Sequence, residues 1–322
     1  TKEKSLMLYV FRAFLVILAK FFNGRFARMF LFRLIKKRSE YDLGISYTHD
    51  VNWNSLTTGC NQFVTDIVLA KRKVAYVHCD FLRYGGFNSK MIRLYEQFDN
   101  IICVSEGCKR SFDTCFPILS NKTIVIENFI NIDNIINQTQ NIVHYLDVNK
   151  VIFITVCRLS EEKGLERGIK AFHKLVNDGY HNFKWNIVGD GPSMYYLKEL
   201  TKDLGLNDKI DFLGANSNPY PYMKNSDFFL LPSYHEAAPM VFGESRVLKL
   251  PVITTNTTSA VDLIENRKMG VVCENSEVGI YAVLKSVLKD PQKFSVPLTD
   301  KDIENTNSIA INELTSFLNS IT

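Results

Sequence analysis

Two glutamates near residue 240 are placed where carboxylates could act on a ligand. Glu236 lies in a short polar stretch after the apolar run 228–231, and Glu244 lies eight positions further on, in a segment that Pro239 can begin as a helix. Ligands of open parallel sheets bind at the carboxyl ends of the strands, where such a stretch would lie. The two carboxylates are therefore candidates to accept hydrogen bonds from one ligand.

A glycoside hydrolase pair is the first interpretation to weigh for these carboxylates. A retaining pair needs its carboxyl groups about 5–5.5 Å apart. Eight helical residues would instead separate the two backbones by about 12 Å. The spacing therefore fits better with two carboxylates that contact different parts of one long ligand, and sugar hydroxyls are suitable donors.

A basic loop precedes the glutamates in the chain. Arg158 and Lys163 flank a polar stretch that follows the apolar run 151–157 and leads into a helical pattern. A helix N-terminus with Arg and Lys beside it favours phosphate binding. A solvated charged loop is the competing interpretation, and for this loop alone both stay open.

Motifs for other cofactors are weak in this sequence. No G-x-G-x-x-G stretch occurs, so a nicotinamide cofactor lacks its usual support. Cys103, Cys108 and Cys115 lie close together, but no fourth ligand follows at zinc spacing. The acidic pair in 300–302 is typical of a helix cap. We expect neither a metal nor a cofactor.

Short apolar strands alternate with helical patterns from residue 41 onward, which predicts a parallel α/β fold. Strands are predicted at 42–47, 74–78, 100–105, 123–127, 151–157, 184–188, 210–213, 227–231, 251–255 and 270–273. Helices are predicted at 61–71, 89–98, 106–112, 164–177, 193–204, 220–225, 240–249, 259–265 and 277–288. Residues 131–149, rich in Asn and Gln, are predicted to form a linker, and a capping box at Thr299 is predicted to begin a C-terminal helix.

The N-terminal end is strongly basic. Residues 1–38 carry ten Lys and Arg against Glu3 alone, although the whole chain has a net charge of only +4. The apolar run 6–18 contains Arg12 and is shorter than the roughly 20 residues that span a bilayer. Two interpretations stay open for 6–38: amphipathic helices that cover a sheet, or a basic, aromatic-rich surface that lies on anionic lipid.

These motifs, in this order, resemble the retaining glycosyltransferases of family 4, which have the GT-B fold. The resemblance covers about residues 41–290, and it rests on the two glutamates and on the stretches 158–164, 189–192, 218–223, 232–233 and 251–253. The stretches 74–78 and 102–106 are similar to the family's first domain. The stretches 259–261 and 272–276 are most similar to members that build bacterial capsular or cell-wall polysaccharide.

The resemblance implies two Rossmann-like domains that face a cleft. Its N-terminal, acceptor-side domain would occupy residues 1–140, its nucleotide-sugar-binding domain residues 141–298, and a C-terminal helix residues 299–322. Nothing in residues 1–40 matches the strand, Gly-rich loop and helix with which the family's first domain opens. We therefore expect that domain to be incomplete here, and to be completed by residues upstream of Thr1 or by another chain.

The resemblance also implies a role for each matching residue. Arg158 and Lys163 would hold the diphosphate of the donor and stabilise it as it leaves, through preorganised electrostatics. Glu236 would contact the donor sugar, Glu244 the ribose hydroxyls, and His78 would face the reacting sugar from the first domain. The other positions expected to bind the donor are Gly189, Asp190, Gly191, Gly214, Pro219, Tyr220, Ala237, Ala238, Pro239, Met240 and Val241.

The implied function is sugar transfer, with retention, from a nucleotide-diphosphate donor to a lipid-linked or growing polysaccharide acceptor. A UDP-sugar is the expected donor, and the expected location is the cytoplasm, peripheral at the inner face of the membrane, with no nucleic-acid partner. Two alternatives are a GT-B sugar-nucleotide epimerase and a non-catalytic sugar-nucleotide-binding or scaffolding chain. Ala237 stands where the family usually has Gly, and Ser245 and Lys249 stand where it often has Ala and Gly. The change beside Glu236 is expected to alter donor choice.

Overall fold

The computed structural model describes residues 2–22, 24–33, 40–49, 59–84, 88–140 and 150–321. The chain divides into two compact units, the first comprising Thr1–Ile126 with Phe317–Thr322 and the second Glu127–Ser316. The sequence placed the division after residue 140. The structure divides the chain earlier because Ile130 and Ile135 are buried in one apolar cluster with Val247 and Ile303 of the second unit.

The first unit contains a parallel sheet with the strand order β1-β2-β3-β4. Its strands are β1 (Glu40–Ser46), β2 (Leu69–Val77), β3 (Asn100–Cys103) and β4 (Thr123–Val125). Its helices are α1 (Lys2–Phe22), α2 (Gly24–Arg33), α3 (Cys60–Asp66), α4 (Phe81–Tyr84), α5 (Ser89–Tyr95) and α6 (Glu106–Cys115), followed by the 3₁₀ segment Pro117–Lys122.

The second unit contains a larger parallel sheet with the order β10-β9-β8-β5-β6-β7. Its strands are β5 (Val151–Val156), β6 (Phe183–Val188), β7 (Ile210–Gly214), β8 (Phe228–Leu231), β9 (Val252–Thr255) and β10 (Gly270–Cys273). Its helices are α7 (Ile132–Gln138), α8 (Leu165–Asn177), α9 (Met194–Asp203), α10 (Tyr220–Lys224), α11 (Met240–Val247), α12 (Glu277–Lys289), α13 (Asp300–Glu304) and α14 (Ser308–Ile321), whose last residues group with the first unit.

Both faces of the larger sheet are buried, as a parallel sheet covered by helices requires. Successive residues of β5 contribute to opposite faces: Phe153 packs in one apolar cluster with Trp185 and α8, and Ile154 packs in another with Phe229 and α11. This burial explains why the strands are short, continuous apolar runs in the sequence.

The strand order of the larger sheet reverses between β5 and β8. The chain builds outward from β5 to β6 and β7 on one side, and from β8 to β9 and β10 on the other. The loops that leave β5 and β8 therefore diverge at this point and leave a crevice, which is the usual ligand site of a doubly wound sheet. The basic loop and the loop of Glu236 are these two loops.

The structure also differs from the sequence predictions within individual elements. Residues 69–71, predicted as the end of a helix, begin β2, because pairing with β1 overrides the helix propensity of the Ala-Lys-Arg-Lys run. The predicted linker contains α7, whose first turn is capped by the Asn131 side chain, and residues 141–149 lie outside the described residues. Val261–Glu265 is a π-helix. The capping box at Thr299 is confirmed. The single C-terminal helix predicted for 299–322 is instead two helices, α13 and α14, separated by the 3₁₀ segment Asn305–Asn307.

Candidate active site

Lys163 and Glu236 meet at the crevice between β5 and β8. A 3₁₀ turn, Glu161–Lys163, follows β5 and ends at Gly164, which has a left-handed backbone with φ of 60°. The Nζ atom of Lys163 lies 2.7 Å from Oε1 of Glu236, and the Ser233 hydroxyl donates to the same oxygen at 2.6 Å. Glu236 is only 8% exposed. The structure thus holds a buried carboxylate with one cation and one hydroxyl.

Backbone hydrogen bonds tie the Glu236 loop to its neighbours. The N–H of Tyr234 donates to the carbonyl oxygen of Glu162 at 2.9 Å, which joins the loops after β5 and β8. The hydroxyl of Thr255, at the end of β9, donates to the Ser233 carbonyl oxygen. Three adjacent strand ends therefore determine where Glu236 lies. Ser233 was not predicted as a site residue. The signal that could have identified it is a hydroxyl side chain only three residues before Glu236.

Glu244 lies on α11 and is partly buried. Pro239 precedes this helix at the N-cap position in an extended conformation, not at the first helical position, with Ala237 and Ala238 before it and Met240 and Val241 in the first turn. The Tyr220 hydroxyl, from the start of α10, donates to Oε1 of Glu244 at 3.3 Å. Burial raises the pKa of the Glu244 carboxyl above its usual value, and the Tyr220 bond opposes that shift.

The structure brings Tyr220 to Glu244, a pairing that the sequence did not predict. Pro219 occupies the N-cap position of α10, so it sets the direction in which Tyr220 leaves the loop after β7. The two glutamates thus differ in their partners: Glu236 accepts from an ammonium group and a hydroxyl, whereas Glu244 accepts from a phenol. Such a difference suits contacts with different parts of one ligand.

The turn after β6 lies directly against the basic loop. Gly189 has φ of 144°, and a Cβ there would lie 1.9 Å from the Cys157 carbonyl oxygen. A Cβ on Gly191 would lie 2.4 Å from the carbonyl oxygen of Leu159, whose N–H donates to the Asp190 carbonyl oxygen at 3.0 Å. Both glycines are therefore required by close backbone approach.

Gly214, at the end of β7, is joined to the turn after β6, because its carbonyl oxygen accepts from the Gly189 N–H at 2.8 Å.

Arg158 is exposed at the start of the basic loop. It lines a cavity of about 770 Å³ with Glu162, Tyr196 and Tyr234, beside the first turns of α8 and α9. The predicted donor-binding residues of the second unit thus lie on consecutive loops at the carboxyl edge of one sheet, and their individual roles stay predictions.

His78 follows β2 in the first unit, among aromatic rings. Its ring stacks on Tyr76 with centroids 5.6 Å apart and lies 4.9 Å from Tyr47. Its Nε2 atom is buried with no hydrogen-bond partner among the described residues. Burial lowers the pKa of His78, and burial together with the nearby His78 lowers the pKa of His49 to about 4. His49, three residues beyond the adjacent strand β1, was not predicted from the sequence.

The described residues contain no group of three or more His, Cys, Asp and Glu side chains placed to hold a metal ion. No helix among them is both long and apolar enough to cross a membrane.

Comparison with known proteins gives consistent matches. The family described as glycosyl transferases group 1 matches residues 137–305. An uncharacterized glycosyltransferase of Methanocaldococcus jannaschii, MJ1059, is 33% identical over 180 residues, which cover 53% of this chain and 44% of that protein. A Campylobacter jejuni protein is 29% identical over 199 residues, 61% of this chain and 53% of its own length. It is named N-acetylgalactosamine-N,N'-diacetylbacillosaminyl-diphospho-undecaprenol 4-alpha-N-acetylgalactosaminyltransferase. The chain spans about half the length of these relatives.

Solved structures support the fold. Anabaena HepE, in complex with UDP and glucose, superposes with a TM-score of 0.65 at 19% identity, over 87% of this chain and 78% of that one. TarM superposes with a TM-score of 0.67 at 17% identity, over 91% of this chain and 57% of that one. The predicted α/β fold with parallel sheets, of the GT-B type, is confirmed. Because the family match covers more than half of its residues, the chain belongs to the glycosyl transferases group 1.

Proposed function

We propose that the protein transfers a sugar, with retention of configuration, from a nucleotide-diphosphate donor to a lipid-linked or growing glycan. The observation that carries this proposal is the 2.7 Å contact of Lys163 with Glu236 where the strand order reverses. It places a cation suited to phosphate beside a carboxylate suited to sugar hydroxyls. These two groups match the two halves of a sugar diphosphate.

Sugar transfer requires mainly that the departing nucleoside diphosphate be stabilised. The bond between the anomeric carbon and the β-phosphate oxygen breaks, and its electron pair leaves with the diphosphate. The acceptor oxygen bonds the anomeric carbon, and its proton passes to an oxygen of the departing diphosphate. Lys163, which is mostly buried, and Arg158, which is exposed at the start of the basic loop, would stabilise the charge that develops on the diphosphate, since cations already in place are effective at this. Glu236 would hold the sugar hydroxyls, and Glu244 the ribose.

The relatives support a UDP-sugar donor and a lipid-linked acceptor. HepE has been crystallised with UDP and glucose. The Campylobacter jejuni relative is named for a diphospho-undecaprenol acceptor, and a Staphylococcus aureus relative, CapM, is named for capsular polysaccharide biosynthesis. We propose the same classes of donor and acceptor here, in cell-surface glycan synthesis.

The direct assay incubates the protein with UDP-glucose, UDP-galactose and their N-acetylated forms, and measures UDP release. One donor is expected to release UDP faster when a polyprenyl-diphosphate-linked acceptor is present, and NMR of the product is expected to show the donor's anomeric configuration. Conversion of the donor without an acceptor would indicate an epimerase. UDP-sugar binding without turnover would indicate a non-catalytic chain.

We also propose that residues 6–38 contact anionic lipid at the inner face of the cell membrane. Helix α1 exposes Tyr9, Val10, Ile17 and Phe21, with Arg12 on the same helix. Apolar side chains beside basic ones suit the surface of anionic lipid. Co-sedimentation with phosphatidylglycerol vesicles is expected to weaken as salt rises. No co-sedimentation at any salt concentration would contradict this contact.

A further inference from the structure

Arg167 is a buried cation that the proposed chemistry does not use. It lies in the first turn of α8 and is 6% exposed. Among the described residues it forms no ion pair with a carboxylate; Nη1 donates to Oδ1 of Asn275 at 2.8 Å, and Nη2 donates to the Pro232 carbonyl oxygen. Burial of a guanidinium without a carboxylate costs free energy, and the fixed hydrogen bonds of Arg167 point to a geometric role.

The partners of Arg167 enclose the loop that carries Glu236. Its Cζ lies 3.7 Å from the centroid of the Tyr234 ring, and the Tyr234 hydroxyl donates to Glu166 at 2.6 Å. Asn275, which follows β10, also donates to the Tyr234 carbonyl oxygen at 2.9 Å. One guanidinium therefore joins the start of α8 to the loops after β8 and β10.

The basic loop, the start of the 232–236 loop and Arg167 are packed closely at Gly164. A Cβ on Gly164 would lie 2.3 Å from the Pro232 carbonyl oxygen and 3.0 Å from Nε of Arg167. The basic loop thus lies directly against the carbonyl that Arg167 binds. Lysine would not replace this arginine, because the arrangement uses a planar fork for two acceptors and a flat face against Tyr234.

We propose that Arg167 is a positioning residue: it holds the loop of residues 232–236 so that Glu236 meets the sugar of the donor. This inference rests on the proposed function, which assigns the donor sugar to Glu236. It predicts a specific defect. Loss of Arg167 impairs recognition of the sugar, whereas binding of the nucleotide, which does not use Glu236, is retained.

The test compares Arg167→Lys with Arg267→Lys, a matched change at an arginine that pairs with Glu127 and, among the described residues, has no hydrogen bond or ion pair with residues 232–236. Calorimetry measures the affinities for UDP and for the UDP-sugar with the highest turnover. In Arg167→Lys, we expect turnover to fall about 10–100-fold, the scale for a small misplacement of a reacting group. UDP affinity is expected to change less than about threefold, whereas affinity for the UDP-sugar is expected to fall. The preference for UDP-sugar over UDP, which is the ratio of the two affinities, is therefore expected to be lost. Arg267→Lys is expected to keep that preference.

A double-mutant cycle separates positioning from general loss of structure. In the Glu236→Gln background, Arg167→Lys is expected to reduce the preference for UDP-sugar little further, because the two changes remove one interaction. Independent, multiplying losses would overturn the inference. Asn275→Ala, which removes a partner of both Arg167 and Tyr234, serves as a second variant if Arg167→Lys fails to fold; it is expected to lower the same preference, and an unchanged preference in it would contradict the proposal.

Different results would contradict the proposed function and the role of Arg167. A wild-type protein that binds none of the UDP-sugars would overturn the proposed function, and the inference with it. A wild-type protein that turns over a UDP-sugar, with an unchanged preference in folded Arg167→Lys, would overturn the inference alone.

Discussion

Lys163 and Glu236 are 73 positions apart in the chain, yet their Nζ and Oε1 atoms lie 2.7 Å apart. Both side chains are mostly buried, with 20% and 9% of their surfaces exposed. A carboxylate this buried requires its partner, because loss of the cation leaves an uncompensated charge. A bound diphosphate would give Lys163 a second anion and would free Glu236 oxygens for sugar hydroxyls.

Removal of the Lys163 ammonium group should lower both the stability of the second unit and the turnover, and a second change at Glu236 should restore only the stability. Lys163→Met is expected to destabilise the second unit by about 1–3 kcal/mol, because Glu236 stays buried with fewer partners. The double variant Lys163→Met/Glu236→Gln is expected to recover most of that stability, but no turnover. Chemical denaturation and UDP release measure the two effects. Lys184→Met, which breaks the more exposed pair with Asp211, is the control, and full activity of Lys163→Met would contradict the assignment.

The pH dependence of nucleotide binding should report Glu244. Burial raises the pKa of this carboxyl, so it takes up a proton at a higher pH than an ordinary glutamate. A protonated carboxyl is a poorer acceptor for ribose hydroxyls, so UDP affinity is expected to fall as the pH drops through that raised pKa.

Tyr220→Phe tests the sign of this effect. The Tyr220 hydrogen bond lowers the pKa of Glu244, so its removal is expected to move the loss of affinity to a higher pH. Glu244→Gln is expected to abolish this pH dependence. Calorimetry with UDP between about pH 4 and 7 measures the midpoint. A midpoint that is unchanged or lower in Tyr220→Phe would contradict the role of Glu244.

The turn after β6 should not tolerate a side chain. Gly189→Ala combines a positive φ of 144° with a Cβ that would lie 1.9 Å from the Cys157 carbonyl oxygen. Gly205→Ala at φ of 68° has nothing within 4 Å and carries the backbone strain alone. We expect a loss of about 1 kcal/mol in Gly205→Ala, and a loss of at least about 3 kcal/mol in Gly189→Ala. Equal losses by denaturation would show that the close approach is absent.

His78 should affect turnover more than nucleotide binding. Burial lowers its pKa, so the ring is neutral at pH 7 and is suited to hydrogen bonding with a sugar. His78→Ala is expected to reduce turnover about 10–100-fold and to leave UDP affinity unchanged. Replacement of the exposed His181 by Ala is the control. Unchanged turnover in His78→Ala would show that this imidazole has no part in the reaction.

The positions of the loops could be predicted from the sequence, but their partners could not. Parallel strands share a carboxyl edge, so Lys163 and Glu236 were expected at one edge of a sheet. Their direct contact depends on β5 lying next to β8, and strand order is not encoded in any local pattern. The Tyr220–Glu244 bond likewise depends on α10 and α11 lying near each other.

The errors have the same origin. The run from Leu69 to Lys71 has good helix formers, and only pairing with β1 makes it a strand. Residues 132–138 are polar on most sides, and Ile135 becomes a core residue only because Val247 and Ile303 pack on it. Local propensity determines neither of these outcomes, since each needs a distant partner.

The most direct test of the account is UDP-sugar turnover by Glu236→Gln, measured together with its affinity for UDP. This change removes the negative charge and keeps the shape of the side chain. The account predicts a loss of turnover of at least about 100-fold, with UDP affinity within about threefold of the wild type. Turnover within a few-fold of the wild type would contradict the central claim that Glu236 and Lys163 act together on a sugar diphosphate.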